Sequence, residues 1–301
     1  MPLPQAQYPD SVSLCEVGPR DGFQFEDVPI PTDLKIKIIH ELIRAGLPRI
    51  QAMSFVHPKW VPQMADAEAI AQEFANIRSC TISALVLNRK GLERAVAANV
   101  STVDISIATN EHHSRDNANM TVHEGVEMAR GLIRDALEAH LSVQIGLQTV
   151  WGYASPDDAN TKLIDNLVAE FSEMNVESIS LADSTGLASP LSIQTRLVDL
   201  LAAAGQTPIV LHLHDTRGLG LANVTAALLA GVTRYDTSLG GMGGCPFIPG
   251  ATGNIATEDV IHLCKSLDIE TGIDSSLVAK CSREMVEHRG APLPGKLYGL
   301  L

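Results

Sequence analysis

Apolar residues along the chain follow two alternating spacings. Short β-rich runs recur at Val12 to Val17, Arg49 to Phe55, Thr81 to Leu87, Thr102 to Ile107, Ser142 to Leu147, Ser178 to Asp183, Ile209 to His214 and Arg234 to Leu239. Between most of them the spacing lengthens to three and four: Leu34, Ile38, Ile39, Leu42 and Ile43 share one helical face that stops at Gly46. Several helix starts carry cap chemistry. Thr121 with Glu124 forms a capping-box pattern, and Ser155-Pro156 and Ser189-Pro190 each set a hydroxyl at the N-cap and a proline at the first helical position. Strand followed by helix, repeated without any Pro/Gly/Ser-rich linker, predicts an α/β chain folded as one domain over residues 1–301. The expected fold is a closed (β/α)8 TIM barrel, in preference to an open doubly wound sheet. Two more helical segments, from about residue 256 to about His288, form a predicted C-terminal appendage.

Composition narrows the function. At 301 residues, with 45% hydrophobic and 19% charged, the chain can bury a large core. A soft prior of roughly 150 residues per domain suggests two domains, but one barrel routinely takes roughly 250. Lys plus Arg number 22 against 35 Asp plus Glu, a net charge of -13, and no basic run is present to track phosphates, so no nucleic-acid partner is expected. Apolar runs such as Ala226 to Val232 are far shorter than the ~20 residues of a membrane span, and Met1 to Asp10 lacks the basic and apolar regions of a targeting signal. We therefore expect a cytoplasmic protein with no membrane partner. The cysteines Cys15, Cys80, Cys245, Cys264 and Cys281 are odd in number and widely spaced, which indicates neither a disulfide framework nor a zinc knuckle.

Three constellations carry chemistry. At the end of the seventh run, Leu211-His212-Leu213-His214-Asp215 places both imidazoles on one face, because strand side chains alternate with period two. In a barrel that face is the active-site mouth, where a same-face pair followed by Asp favours metal ligation over two hydrogen-bonded core histidines. The second, Glu16-Val17-Gly18-Pro19-Arg20-Asp21-Gly22, reads in isolation as a turn with solvated charges. Closure of the barrel brings strand one next to strand eight and within reach of strand seven, so Asp21 can join His212 and His214. One carboxylate and two imidazoles leave open positions on an octahedral ion, which suits Mg2+ or Mn2+ better than structural zinc. The third, Gly240-Gly241-Met242-Gly243-Gly244-Cys245-Pro246 with Gly250 to Asn254, reads as a mobile loop that lacks both the P-loop lysine and the Rossmann glycine order. Cys245 there, near a metal and Arg20, has surroundings that favour thiolate. Asn254 alone reads as an N-cap or turn residue.

These residues resemble the 3-hydroxy-3-methylglutaryl-CoA lyase family. The match runs from about Ser11 to about Leu267 and includes Glu16 to Gln24, Ser54-Phe55, Pro58 to Met64, Asp183 to Gly186, His212 to Thr216 and the Gly243 to Asn254 loop. The Arg-Asp-Gly and His-x-His pieces occur in related synthases too, whereas the Gly-Gly-Cys-Pro loop points to the lyases. The resemblance implies metal ligation by Asp21, His212, His214 and Asn254, Arg20 on the thioester oxygen, and Cys245 as an acid/base group on a closing loop. It also implies catalysis by Arg20, His212 and Cys245, with substrate contacts from Arg20, Gln24, Gln51 and Ser54. The implied reaction is retro-Claisen cleavage of an acyl-CoA partner, with a divalent metal and, we expect, a homo-oligomeric chain (dimer or higher). Lys59, Arg89 and Lys90 are the candidate cations for CoA phosphates.

Two departures stand out. Gln51 replaces the acid of a Glu-Thr-Thr-Ser-Phe run, and Phe25-Glu26-Asp27 replaces Asn-Glu-Lys, exchanging a cation for an anion. Both point to a C3 substituent larger than methyl or differently polar. Other readings are a synthase or aldolase on 2-oxo acids, discriminated by an absence of CoA cleavage, and a silent metal- or CoA-binding barrel, which binds without turnover. Amidohydrolases place His-x-His on the first strand, whereas here it falls on the seventh.

Overall fold

A computed structural model describes residues 8–244 and 253–301. The strands β1 (Ser13–Glu16), β2 (Arg49–Ser54), β3 (Thr81–Val86), β4 (Thr102–Ala108), β5 (Ser142–Gln148), β6 (Ser178–Asp183), β7 (Ile209–Leu213) and β8 (Arg234–Thr237) run parallel and close into a barrel in chain order. Each lies inside or within a residue or so of its predicted run. The helices are α1 (Thr32–Arg44), α2 (Ala67–Phe74), α3 (Arg89–Ala97), α4 (Glu111–Ala118), α5 (Val122–Glu138), α6 (Thr161–Glu173), α7 (Pro190–Ala204), α8 (Gly220–Leu229), α9 (Thr257–Ser266) and α10 (Ser275–Arg289). The predicted (β/α)8 fold is the observed one. Its C-terminal helices do not stand apart: α9 is the helix that follows β8, and α10 packs on both α9 and α1, closing the outer ring.

Strand alternation separates two chemistries. Leu14, Ile50, Val103, Ile105, Val143, Ile145, Ile179, Leu181 and Leu211 are buried and join the core cluster with the helix faces. Burying each such side chain contributes roughly 1.5–3 kcal/mol. The alternate positions form polar contacts from strand to strand: Ser83 to Asp104 at 2.6 Å, Arg49 to Asp104 at 2.7 Å, Ser178 to Gln144 at 2.8 Å and Ser180 to Asp236 at 3.1 Å. Polar groups placed this way find partners in one another across the strands.

The Thr121–Glu124 capping box forms at the start of α5, and Ser189 caps α7 with Ser192 as its reciprocal partner. Ser155-Pro156 opens only a three-residue turn, Pro156–Asp158, whereas α6 starts at Thr161 under an Asn160 cap. The Asp158 carboxylate draws in the backbone N–H groups of Tyr153, Ala154 and Ser155, and Ala159 is extended, so the helix restarts later. Asn254 is likewise no N-cap, since α9 begins after Ala256. Among the described residues no helix is long and apolar enough to cross a membrane.

Candidate active site

The turn after β1 carries Arg20 and Asp21 over the C-terminal mouth. Gly18 allows it to dock there: a Cβ would lie 2.5 Å from Leu239 Cδ2 and 2.6 Å from Glu16 Oε1. Arg20 Nη1 pairs with Asp21 Oδ1 at 2.7 Å, and its Nε donates to Gln51 Oε1, leaving Nη2 without a partner among the described residues. Gln24 Nε2 donates to Asp21 Oδ1 at 3.1 Å, and Asn254 Nδ2 donates to Asp21 Oδ2 at 2.7 Å and to the Met242 carbonyl at 3.0 Å. His214 forms a β-bridge with Asn254, which brings the chain beyond the glycine-rich loop back across the mouth.

The two imidazoles meet this turn from β7. His212 Nε2 lies 3.2 Å from His214 Nε2 and 3.9 Å from Asp21 Oδ2, and ligand atoms of Asp21, His212 and His214 all fall within 4.8 Å of one another. His212 Nδ1 donates to Asp236 Oδ2 at 3.2 Å, because a carboxylate only accepts, and this fixes the tautomer that presents the Nε2 lone pair to the cluster. The Asn254 Oδ1 is buried and has no hydrogen-bond partner among the described residues. Two imidazoles, a carboxylate and an orphaned amide oxygen are a donor set that fits a divalent cation.

Charge placement sets the two imidazoles apart and keeps Asp21 ionised. Burial alone would push the Asp21 carboxyl up, but the Arg20 and His212 charges and the Asn254 hydrogen bond hold it below its ordinary value. Burial opposes protonation of His212, and the Asp236 hydrogen bond and charge outweigh it, raising the pKa. Burial, then His212, push His214 down to about 4, so this ring is neutral and ready as a ligand.

Beneath the cluster lie two buried acids. Glu16 Oε1 accepts from the Gly18 and Leu239 amides at 2.8 and 2.9 Å, its Oε2 accepts from the Thr257 hydroxyl at 2.7 Å, and burial pushes its carboxyl up to about 8. Glu258 accepts from the Gly240 amide at 2.9 Å and from the Ser282 hydroxyl. Together they fasten the β1 turn and the start of the glycine loop to α9 and α10. Asp236 and Glu258 escaped the sequence reading.

The other expected site residues are placed less uniformly. Ser54 Oγ donates to the Leu85 carbonyl at 3.4 Å and makes no contact with the Arg20–Asp21 pair among the described residues. Cys245 lies outside the described residues, although Gly243 passes close over the cluster, where a Cβ would sit 2.5 Å from Asn254 Nδ2 and 3.3 Å from Asp21 Oδ2. Asp27 is exposed, so water screens its charge and this departure does not reshape the pocket. Arg89 is spent on Asp135 at 2.7 Å, and Lys59 and Lys90 are exposed.

Residues 11–285 match the family model described as HMGL-like. The chain belongs to the HMGL-like family. Within similar proteins, it is 38% identical over 289 residues to hydroxymethylglutaryl-CoA lyase YngG of Bacillus subtilis, covering 96% of this chain and 97% of that one. It is 38% identical over 272 residues to a 3-hydroxy-3-isohexenylglutaryl-CoA/hydroxymethylglutaryl-CoA lyase of Pseudomonas aeruginosa, covering 88% and 89%. An HMG-CoA lyase from Acinetobacter baumannii, solved in complex with coenzyme A and 3-methylmalate, superposes with a TM-score of 0.91 at 33% identity, covering 97% and 95%. In this HMGL-like barrel Asp21, His212 and His214 converge at the mouth, with Asn254 hydrogen-bonded to Asp21.

Proposed function

We propose that this chain is a carbon–carbon lyase that cleaves 3-hydroxy-3-methylglutaryl-CoA, or a close 3-hydroxyacyl-CoA analogue, to acetyl-CoA and a 3-oxo acid. The observation that carries the reading is the meeting of Asp21, His212 and His214 within 4.8 Å beside Arg20. Asp21, His212, His214 and Asn254 would hold Mg2+ or Mn2+, which supplies positive charge that lowers the pKa of the substrate's tertiary hydroxyl. The hydroxyl proton passes to the Asp21 carboxylate, which has lone pairs to spare, whereas His212 spends its Nδ1 hydrogen on Asp236 and would give its one lone pair, on Nε2, to the ion. The oxygen's electron pair becomes the new C=O bond, the C2–C3 bond breaks, and its pair passes into the thioester enolate. Arg20 meets the charge on the enolate oxygen, which grows only as the bond breaks, so it stabilises the transition state more than the ground state. The Cys245 thiol returns a proton to C2, completing acetyl-CoA. Gln24 and Gln51 act by holding Asp21 and Arg20 in place.

The test is purified protein with Mg2+ and a panel of 3-hydroxyacyl-CoAs, following acetyl-CoA release. Release from 3-hydroxy-3-methylglutaryl-CoA or a close analogue is expected, and activity on 2-oxo acids alone would replace this reading with that of a synthase or aldolase.

A further inference from the structure

The segment after α10 lies against Gly240 and Gly241, where the chain leaves β8 for the glycine-rich loop. The Gly295 N–H donates to the Gly240 carbonyl at 2.8 Å, and the backbones approach so closely that a Cβ on Gly295 would sit 2.9 Å from Gly240. Leu293 is buried and covers Gly240, where a Cβ would run into Leu293 Cδ1. Two successive acids of α9 grip the two layers. Glu258 accepts from the Gly240 amide at 2.9 Å, and the buried Asp259 accepts from the Lys296 and Leu297 amides at 3.0 and 2.9 Å. The Leu293 N–H donates to the Tyr298 hydroxyl at 3.1 Å. From Gly241 the charged cluster is one residue away. Met242 is buried, its carbonyl accepts from Asn254 Nδ2 at 3.0 Å, and the same Nδ2 donates to Asp21 Oδ2 at 2.7 Å. Met242 also sets the height of the turn after β1, since a Cβ on Gly22 would lie 2.7 Å from Met242 Cβ.

We infer that residues 293–295 are a positioning element of the active site: by fixing Gly240 and Gly241 from outside, they set where Met242 holds the Asn254 amide and, through it, the Asp21 carboxylate. The inference rests on the lyase reading above, with Asp21, His212, His214 and Asn254 as donors to a divalent cation. Between Gly295 and Asp21 stand one backbone hydrogen bond, the backbone of residues 240–242 and one amide that donates twice. No long side chain is there to absorb a displacement by changing rotamer. The two donations from Nδ2 also fix the plane of the Asn254 amide, and with it the direction of Oδ1, the atom left to a cation. A contact that only packed the segment onto the barrel would stabilise the fold without reaching a donor.

The experiment measures the Mn2+ dissociation constant by titration calorimetry, and acetyl-CoA release from 3-hydroxy-3-methylglutaryl-CoA at saturating Mn2+, in wild type, Gly295→Ala, Leu293→Ala, Leu293→Met and Val143→Ala. Val143 is buried near the start of β5, at the opposite end of the barrel, so Val143→Ala stands for a loss of stability alone. Gly295→Ala and Leu293→Ala, folded by circular dichroism, should each weaken Mn2+ binding and lower kcat by roughly 10- to 100-fold, the scale set by groups that orient a metal's ligands. Val143→Ala should lower Tm and leave both near their wild-type values, and Leu293→Met, which refills the space over Gly240, should restore most of what Leu293→Ala loses. If Gly295→Ala fails to fold, Leu293→Ala and its Met counterpart decide. Wild-type Mn2+ binding and kcat in the folded variants, or equal losses in Val143→Ala, overturn the inference. A wild type that binds Mn2+ and releases no acetyl-CoA overturns the lyase reading instead, and the Mn2+ titrations still decide whether residues 293–295 position the donors.

Discussion

On one side of the barrel mouth, β7, β8 and the turn after β1 crowd His212, His214, Asp236, Asp21 and Arg20 into direct contact, each held by at least one partner. On the other side, β4, β5 and β6 offer Ser106, Gly146, Gln148 and Ala182, of which only the Gln148 side chain is hydrogen-bonded, to His113, among the described residues. The difference is one of tolerance. A charge in a low-dielectric site must keep its partners or lose its function, so the first wall is coupled and cannot drift. The second wall carries no such chain of paired charges among the described residues, so one side chain there can be exchanged without leaving another charge unpaired.

Loss of the metal should break the comparison most completely. With the charged wall proposed to work around a divalent cation, chelation should abolish turnover, Mg2+ or Mn2+ should restore it, and His214→Ala should lose both activity and tight metal binding. Full activity of His214→Ala after chelation would show that the two imidazoles form a structural pair. Next in size is Arg20→Gln, which removes the charge from Asp21 and Gln51 while keeping hydrogen-bonding capacity. It should fold normally by circular dichroism while kcat falls by several orders of magnitude, because the lost interaction is one made in the transition state. A large drop in Tm with a modest kinetic loss would make Arg20 a structural ion-pair partner instead.

Much of the charged wall was legible in the chain, and the neutral wall was not. His212 and His214 announce themselves because their two-residue spacing needs no tertiary information. Asp21 needed barrel closure as a premise, and Asn254 came only through family resemblance, since by itself it looks like a helix start. Asp236 is disguised as the acid of a strand end, and Glu258 as an ordinary first-turn acid of α9, where the helix dipole already favours a negative charge. Gly146 sits in the run Ile145-Gly146-Leu147, and its inward parity has meaning only when β5 is set in register between β4 and β6. Gln51 stood out as a departure, but its contact with Arg20 required the fold.

The smallest effect concerns what holds the charged wall up. Glu16 is fully buried, and burial pushes its carboxyl up to about 8, so in the folded chain it keeps its proton at pH values where the unfolded chain, near 4.5, has released it. The folded state then binds more protons than the unfolded state across that window, and stability attributable to Glu16 is complete at low pH and declines as pH rises through about 8. Glu16→Gln imitates the protonated acid: its amide oxygen can accept from the Gly18 and Leu239 amides, and its NH2 can face the Thr257 hydroxyl, which is free to rotate. The variant should therefore lack this part of the pH dependence. In urea unfolding, wild type should lose on the order of 3 kcal/mol relative to Glu16→Gln between pH 5.5 and pH 8. Parallel stability profiles for the two proteins would mean that Glu16 stays ionised when buried, held by its three donors, and that the β1 turn rests on a charged support.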